Sequence, residues 1–141
     1  MFLGEYQHTI DKKNRITIPS KYRDDFADGL VVTRGLDQNL MGYTMSGWLQ
    51  LAQQIAQQPL SNQDARSLRR RLFAGAIDLT LDKQGRILLP NHLREFAQLE
   101  TDIIIAGMYN YIEFWTAPLW QQAKDAAENN ENADRWTNLG I

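Results

Sequence analysis

Cysteine is absent from this chain of 141 residues, and histidine occurs only at His8 and His92. The lack of cysteine excludes disulfide bonds, cysteine nucleophiles and thiolate metal sites, and two isolated histidines make a poor metal centre. No apolar run reaches the roughly 18 residues that cross a bilayer, and the N-terminal residues lack the basic segment of a signal peptide. We therefore expect a cytoplasmic protein with no membrane contact, no bound metal and no cofactor.

An overall excess of basic residues is also missing, because the formal net charge is −2. This value counts against a nucleic-acid partner, since such domains are often strongly basic. The bases are nevertheless segregated: the segment from Asp11 to Arg23 holds five of them and a single acid, Asp11 itself. Four arginines follow between residues 66 and 71, whereas residues 125–134 carry acids and no bases. The low net charge can therefore conceal a basic patch.

The chain contains an internal repeat. A shift of 71 positions aligns residues 2–23 with residues 73–94, and nine of these 22 pairs are identical, where chance gives roughly one or two. One unit buries too little apolar surface to be stable alone, so two copies should complete each other around a pseudo-twofold axis. We predict an α+β fold in which residues 1–60 and 61–141 form two repeats with one shared β core and flanking helices.

Each copy begins with a pattern typical of a β-hairpin. Apolar and polar residues alternate on both sides of residues 11–14 and again on both sides of residues 82–85, which is the period of half-buried strands. Gly85 occupies the place where a tight loop commonly needs a positive φ, and Asn14 occupies the matching place as the next most tolerant residue. Both loops can therefore adopt one shape.

The rest of each copy reads as a short helix, two strands and a longer helix. Ser20 and Asn91, each preceded by a proline, are predicted to accept backbone N–H groups and start the short helices, which should end near Phe26 and Ala97. Between the copies, Ser61 resembles the start of a capping box for a linker helix. The predicted strands are residues 30–33, 40–44, 103–106 and 111–115, and the predicted longer helices are residues 46–57 and 117–127. The linker helix carries an apolar stripe of Ala65, Leu68 and Leu72.

The two loops carry the residues with the clearest chemistry. Arg15 and Arg86 offer planar forks of donors that match phosphate oxygens or the O6 and N7 edge of guanine. Asp11 and Asp82 can fix each loop by accepting backbone N–H groups or by pairing with the arginine. Three lysines, Lys12, Lys13 and Lys83, would add phosphate contacts. The alternative is that the Asp and Arg pairs only pin hairpins, as exposed ion pairs worth about 0 to 1 kcal/mol.

Other conspicuous residues favour structural roles. The arginines of residues 66–71 are typical of a solvated helix face, and Trp48, Trp115 and Trp120 lie in apolar segments that suit a core or a subunit contact. The sequence holds no Ser, His and Asp arrangement and no Gly-rich phosphate loop. We therefore expect neither catalysis nor a small-molecule substrate.

The paired loop motifs resemble those of the AbrB-like swapped-hairpin DNA-binding proteins, and the two-copy layout resembles the MraZ family among them. The resemblance rests on the residues around both loops and on the opening residues Met1 to Gly4. It implies a DNA-binding repressor of the bacterial division and cell-wall gene cluster, assembled as a homo-oligomeric ring such as an octamer on repeated promoter sites and associated with the nucleoid. It also implies that Arg15 and Arg86 contact DNA, with Asp11, Asp82, Asn14 and Gly85 as loop supports.

A second interpretation stays open, because AbrB-like folds also serve as antitoxins that bind DNA with the fold and a toxin with a tail.

Overall fold

The computed structural model describes residues 1–140, except for the side chains of residues 130–134, so part of the acidic segment of residues 125–134 lies outside the described residues. The fold is α+β, as predicted. In chain order the elements are β1 (Glu5–Thr9), β2 (Arg15–Thr17), β3 (Leu30–Arg34), β4 (Leu40–Thr44), α1 (Met45–Ala56), α2 (Gln63–Phe73), β5 (Ile77–Leu79), β6 (Arg86–Leu88), α3 (Asn91–Ala97), β7 (Asp102–Gly107), β8 (Ile112–Thr116) and α4 (Ala117–Ala127), with 3₁₀ turns at Ser20–Tyr22, Asp24–Phe26 and Asn130–Leu139.

The strands form one antiparallel six-stranded sheet in the order β1-β7-β8-β4-β3-β5, and a separate two-stranded ladder of β2 and β6. The exchange of strands between the copies agrees with the swapped-hairpin fold that the resemblance implied, whereas the simple local hairpins that the alternation predicted are wrong. Only one bridge, between Ile10 and Ile16, joins the β1 side of the first loop to the β2 side, whereas β1 pairs with β7 of the second copy and β5 pairs with β3 of the first. The copies therefore exchange strands.

The exchange follows from what each strand buries. Pairing β2 with β6 sets Ile16 opposite Ile87, and both side chains are almost fully buried in the main core. That core draws on both copies, which confirms the prediction of a shared core; its largest members include Ile16, Ile18, Phe26, Leu30, Ile87, Leu89, Leu93, Ile103 and Phe114. A local hairpin would give each of these short strands only its own copy to pack against.

Helices α1 and α2 cover the other face of the sheet beside β3 and β4. Their apolar sides enclose a second cluster around Tyr43, Ile55 and Leu72, and the predicted stripe on α2 is confirmed. The N-cap of α2 is Asn62, whose side chain accepts the N–H of Ala65 at 3.1 Å. The capping box at Ser61 was therefore wrong by one residue.

The two short helices end at Phe26 and Ala97, as predicted. The first is a pair of 3₁₀ turns, and neither Ser20 nor Asn91 caps its helix, because Pro19 and Pro90 stand at the N-cap position. Ser20 and Asn91 instead lie inside the first turn. They are therefore not at the position from which a side chain accepts the free N–H groups of a helix start.

Candidate nucleic-acid interface

The first loop is organised by the carboxylate of Asp11. Its Oδ1 accepts the backbone N–H groups of Lys13 and Arg15, both at 2.9 Å, and its Oδ2 accepts Nε of Arg15 at 2.7 Å. Backbone hydrogen bonds from Asp11 N to Arg15 O and from Asn14 N to Asp11 O close the turn. One aspartate therefore fixes both the backbone of the loop and the guanidinium of its arginine.

The second loop repeats this geometry. Oδ1 of Asp82 accepts the N–H groups of Gln84 and Arg86, both at 2.9 Å, and Oδ2 accepts Nε of Arg86 at 2.8 Å. The same two backbone hydrogen bonds close the turn. Sequence reasoning left open whether the aspartates bind backbone or arginine, and in the structure they do both.

These contacts also hold both carboxyl groups in the charged form. The backbone N–H of Arg15 is the largest influence on Asp11 and lowers its pKa, outweighing the opposing effect of partial burial, and the Arg15 side chain lowers it further. The pKa of Asp82 is lowered in the same way by Arg86. Each loop is thus an ionic unit at neutral pH.

A left-handed residue in each loop links the two copies. Asn14 has φ 63° and Gly85 has φ 76°, the conformation that the sequence predicted for both. The carbonyl of Gly85 accepts the N–H of Ile18 at 2.8 Å, and the carbonyl of Asn14 accepts the N–H of Leu89 at 3.2 Å. Each turn is therefore hydrogen bonded to the strand end of the other copy, so the two loops form one structural unit.

The ladder of β2 and β6 brings the two arginines onto one surface. Arg15 lies opposite Leu88, and Thr17 lies opposite Arg86. Because side chains alternate along a strand, these four residues share the face opposite to the buried isoleucines. Arg15 and Arg86 are diagonal neighbours in this register, about 7–8 Å apart at the backbone. We call the four residues Arg15, Thr17, Arg86 and Leu88 the ladder face.

The arginines do not extend freely from this face. The side chains of Arg15 and Arg86 are 29% and 25% exposed, because each lies along its loop with Nε on the aspartate. Within the described chain, no hydrogen bond occupies their Nη1 and Nη2 groups. The Nη donors are consequently what each arginine can offer to a ligand, while Lys12, Lys13 and Lys83 at the loop tips are exposed.

Two further arginines support the loops, and sequence reasoning gave them no role. Nε of Arg23 donates to the carbonyl of Ile18 at 3.0 Å, and Nε of Arg94 donates to the carbonyl of Leu89 at 3.2 Å. Arg23 also packs against Gly85, where an added Cβ would lie 2.3 Å from its Nε. The signal was present, since this arginine is one of the nine identities between the copies.

The arginines between residues 66 and 71 have structural contacts away from the ladder face. Arg66, Arg69 and Arg71 donate to the backbone carbonyls of Leu60, Ala56 and Gly35, and Arg71 also stacks over the ring of Phe96 with 5.0 Å to its centroid. Three of these four arginines therefore bind α2 to neighbouring segments, whereas we predicted only a solvated helix face.

Trp48, Trp115 and His8 also have structural surroundings. Trp115 is buried, and Trp48 packs edge-on against Tyr43 and Phe73, as expected of core residues. Burial lowers the pKa of His8, with a smaller contribution from the charge of Arg23. Among the described residues no cluster of three His, Cys, Asp or Glu side chains could hold a metal ion, and none of the helices there could span a membrane.

The fold and the loops together define a class: proteins with two copies of a strand-exchanged unit, each presenting an Asp-anchored basic turn. A sequence model described as "MraZ protein, putative antitoxin-like" matches residues 1–71 and 72–139. The chain belongs to the MraZ family.

Curated relatives include proteins named "Transcriptional regulator MraZ" from several bacteria. The protein of Herpetosiphon aurantiacus is 52% identical over 126 residues, which cover 89% of this chain and 88% of the relative. That of Roseiflexus sp. is 49% identical over 92% of this chain and 91% of the relative, and that of Caldicellulosiruptor saccharolyticus is 40% identical over the full length of both. These curated relatives are thus named as regulators of transcription.

Proposed function

We propose that the chain regulates transcription by binding double-stranded promoter DNA with the ladder face and the two loops. One observation carries the proposal: two loops of matching geometry place two arginines on a single solvent-facing surface between exposed lysines. A two-stranded antiparallel ribbon fits the major groove of B-DNA. The lysines at both ends of the ladder would then lie near the phosphate backbone.

The chemistry divides into two kinds of contact. The free Nη groups of Arg15 and Arg86 suit bidentate hydrogen bonds to guanine O6 and N7 or to phosphate. Lys12, Lys13 and Lys83 supply sequence-independent attraction that weakens as salt rises. Asp11 and Asp82 would hold the arginines in orientation before DNA arrives, which reduces the ordering cost of binding.

Assembly would reconcile DNA binding with a net charge of −2. In a homo-oligomeric ring, several ladder faces at fixed spacing engage repeated promoter sites together, and avidity replaces high net charge. The proposed role, in the cytoplasm and on the nucleoid, is repression of the division and cell-wall gene cluster through these sites. The mass of the free protein, measured by light scattering after size exclusion, tests the oligomer directly.

The DNA proposal is tested by a salt-dependent binding titration against the segment upstream of the protein's own gene. Replacement of Arg15 or Arg86 by alanine should weaken binding by about 1 to 3 kcal/mol per lost contact. Arg70→Ala serves as the matched control, because Arg70 is an exposed arginine on α2. Unchanged affinity of an intact Arg15→Ala oligomer would refute the assignment.

An antitoxin role is the second candidate, favoured by the words "antitoxin-like" in the description of the matching family. It predicts that a small protein partner co-purifies in fixed stoichiometry when the chain is isolated from its own host. A regulator acting alone predicts no such partner and full DNA affinity without one.

A further inference from the structure

The ladder face is pseudo-symmetric in its backbone but not in its chemistry. The pseudo-twofold axis relates Arg15 to Arg86, which are identical, yet it relates Thr17 to Leu88. At the loop tips it also relates Lys13 to Gln84. The two ends of one surface therefore present different groups to a ligand, although their backbones follow the same path.

Leu88 is the unusual member of the face. Its side chain is apolar and the residue is 61% exposed, while it lies opposite Arg15 on the ladder and next to no buried cluster on that side. The residues on either side of it in the chain differ, since Ile87 and Leu89 are almost fully buried. The fold therefore does not need a leucine at position 88, and the side chain of Leu88 is free to contact a molecule outside the chain.

We propose that Leu88 is a specificity-determining residue that reads the 5-methyl group of a thymine in the DNA bound by the ladder face. This inference rests on the proposed DNA binding. In the major groove the thymine methyl is the one apolar group that distinguishes base pairs, and apolar side chains recognise it by contact. Arg15 across the ladder would fix the neighbouring base or phosphate, so that Leu88 is held at a defined base step.

The contact gives the chain a direction on DNA. Thr17 stands at the related position with a shorter side chain that carries a hydroxyl group beside its methyl group, so the two ends of the ladder face offer a base pair different contacts. A single chain therefore prefers a site without twofold symmetry and binds it in one orientation. Backbone phosphates do not encode this preference, because they repeat regardless of sequence.

The test is a double-mutant cycle between the protein and the DNA methyl group. The upstream duplex is synthesised twice, once with thymidine and once with deoxyuridine, which differ only by the 5-methyl group. Wild-type protein should bind the deoxyuridine duplex at least about fourfold more weakly, the value of one buried methyl-sized group. Leu88→Ala should bind the thymidine duplex more weakly than wild type and should not distinguish the two duplexes.

Leu60→Ala is the matched control, because Leu60 is 66% exposed and lies between α1 and α2, away from the ladder face. It should keep the full difference between the duplexes. The inference is overturned if wild type does not distinguish them, if Leu88→Ala still distinguishes them, or if Leu88→Ala changes the mass of the free oligomer. Failure of wild type to bind the thymidine duplex at all would instead refute the proposed function, and this inference with it.

Discussion

Substitution of Gly85 by alanine tests how the second loop is held. Gly85 has φ 76° and packs against the side chain of Arg23. An alanine in the left-handed region costs about 1–2 kcal/mol. Its Cβ would also lie only 2.3 Å from Nε of Arg23, so the arginine side chain would have to move. That movement would break the hydrogen bond from Arg23 to the carbonyl of Ile18, which contributes about 1 kcal/mol net. We therefore expect Gly85→Ala to lower the free energy of unfolding by about 2–3 kcal/mol.

The first copy supplies the controls. Asn14 holds the matching position at φ 63°, and asparagine tolerates this region better than alanine does. Gly85→Asn should therefore be less destabilising than Gly85→Ala, retaining mainly the steric conflict with Arg23, at about 1 kcal/mol. Asn14→Gly should change stability by less than about 1 kcal/mol, because glycine relieves strain but adds freedom to the unfolded chain.

Urea denaturation followed by circular dichroism measures all three variants under one condition. The expected order of destabilisation is Gly85→Ala, then Gly85→Asn, then Asn14→Gly. If Gly85→Ala is as stable as wild type within about 0.5 kcal/mol, the range of a neutral surface substitution, then neither the backbone conformation nor the Arg23 contact holds the loop. An Asn14→Gly variant less stable than Gly85→Ala would contradict the same reasoning.

Three other predictions concern the core and the ionisable groups. Gly107→Ala should destabilise the fold by more than about 2 kcal/mol in the same assay, because its Cβ would lie 2.5 Å from the backbone of Phe2. The pKa of Asp11 is lowered, so its contribution is full above the ordinary value of 3.8 and lost as pH falls through the lower folded value; the stability difference between wild type and Asp11→Asn should therefore shrink below pH 3.8. In an absorbance titration, Tyr22 and Tyr43 should ionise late, since burial raises the pKa of each to about 12, and a titration completed near the ordinary value of 10 would contradict their burial.

Elements whose signals are local could be predicted from the sequence. The bounds predicted for β4 and α4, residues 40–44 and 117–127, agree with the structure, because the apolar periods there are uninterrupted and Thr44 and Thr116 cap the following helices. Choices between adjacent polar residues could not be settled in the same way. Asn62 caps α2 in place of Ser61, since both side chains carry an acceptor and the chain path decides which one reaches the free N–H groups.

The local sequence pattern did not predict which strands pair with each other. Alternation identifies which side chains of β2 are buried, but it does not identify the strand that completes the ladder. Ile16 would alternate in the same way in a hairpin with β1, yet it pairs with Ile87 of the other copy. The conformation of the arginine side chains could not be predicted for a similar reason. A spacing of four residues allows Arg15 to extend or to fold back on Asp11, and only the closed loop fixes the second arrangement.

The exchange of strands bears on the proposed DNA contact, because neither copy alone forms the ladder face. The pairing of Ile16 with Ile87 inside the shared core sets the spacing of the backbones of Arg15 and Arg86. A symmetric dimer of one unit would have to place the same residue at both related positions. Covalent linkage of the copies removes that restriction, and the chain carries Thr17 at one position and Leu88 at the other. The tandem repeat thereby permits two arginines at a spacing set by the core and the proposed directional contact on the same surface.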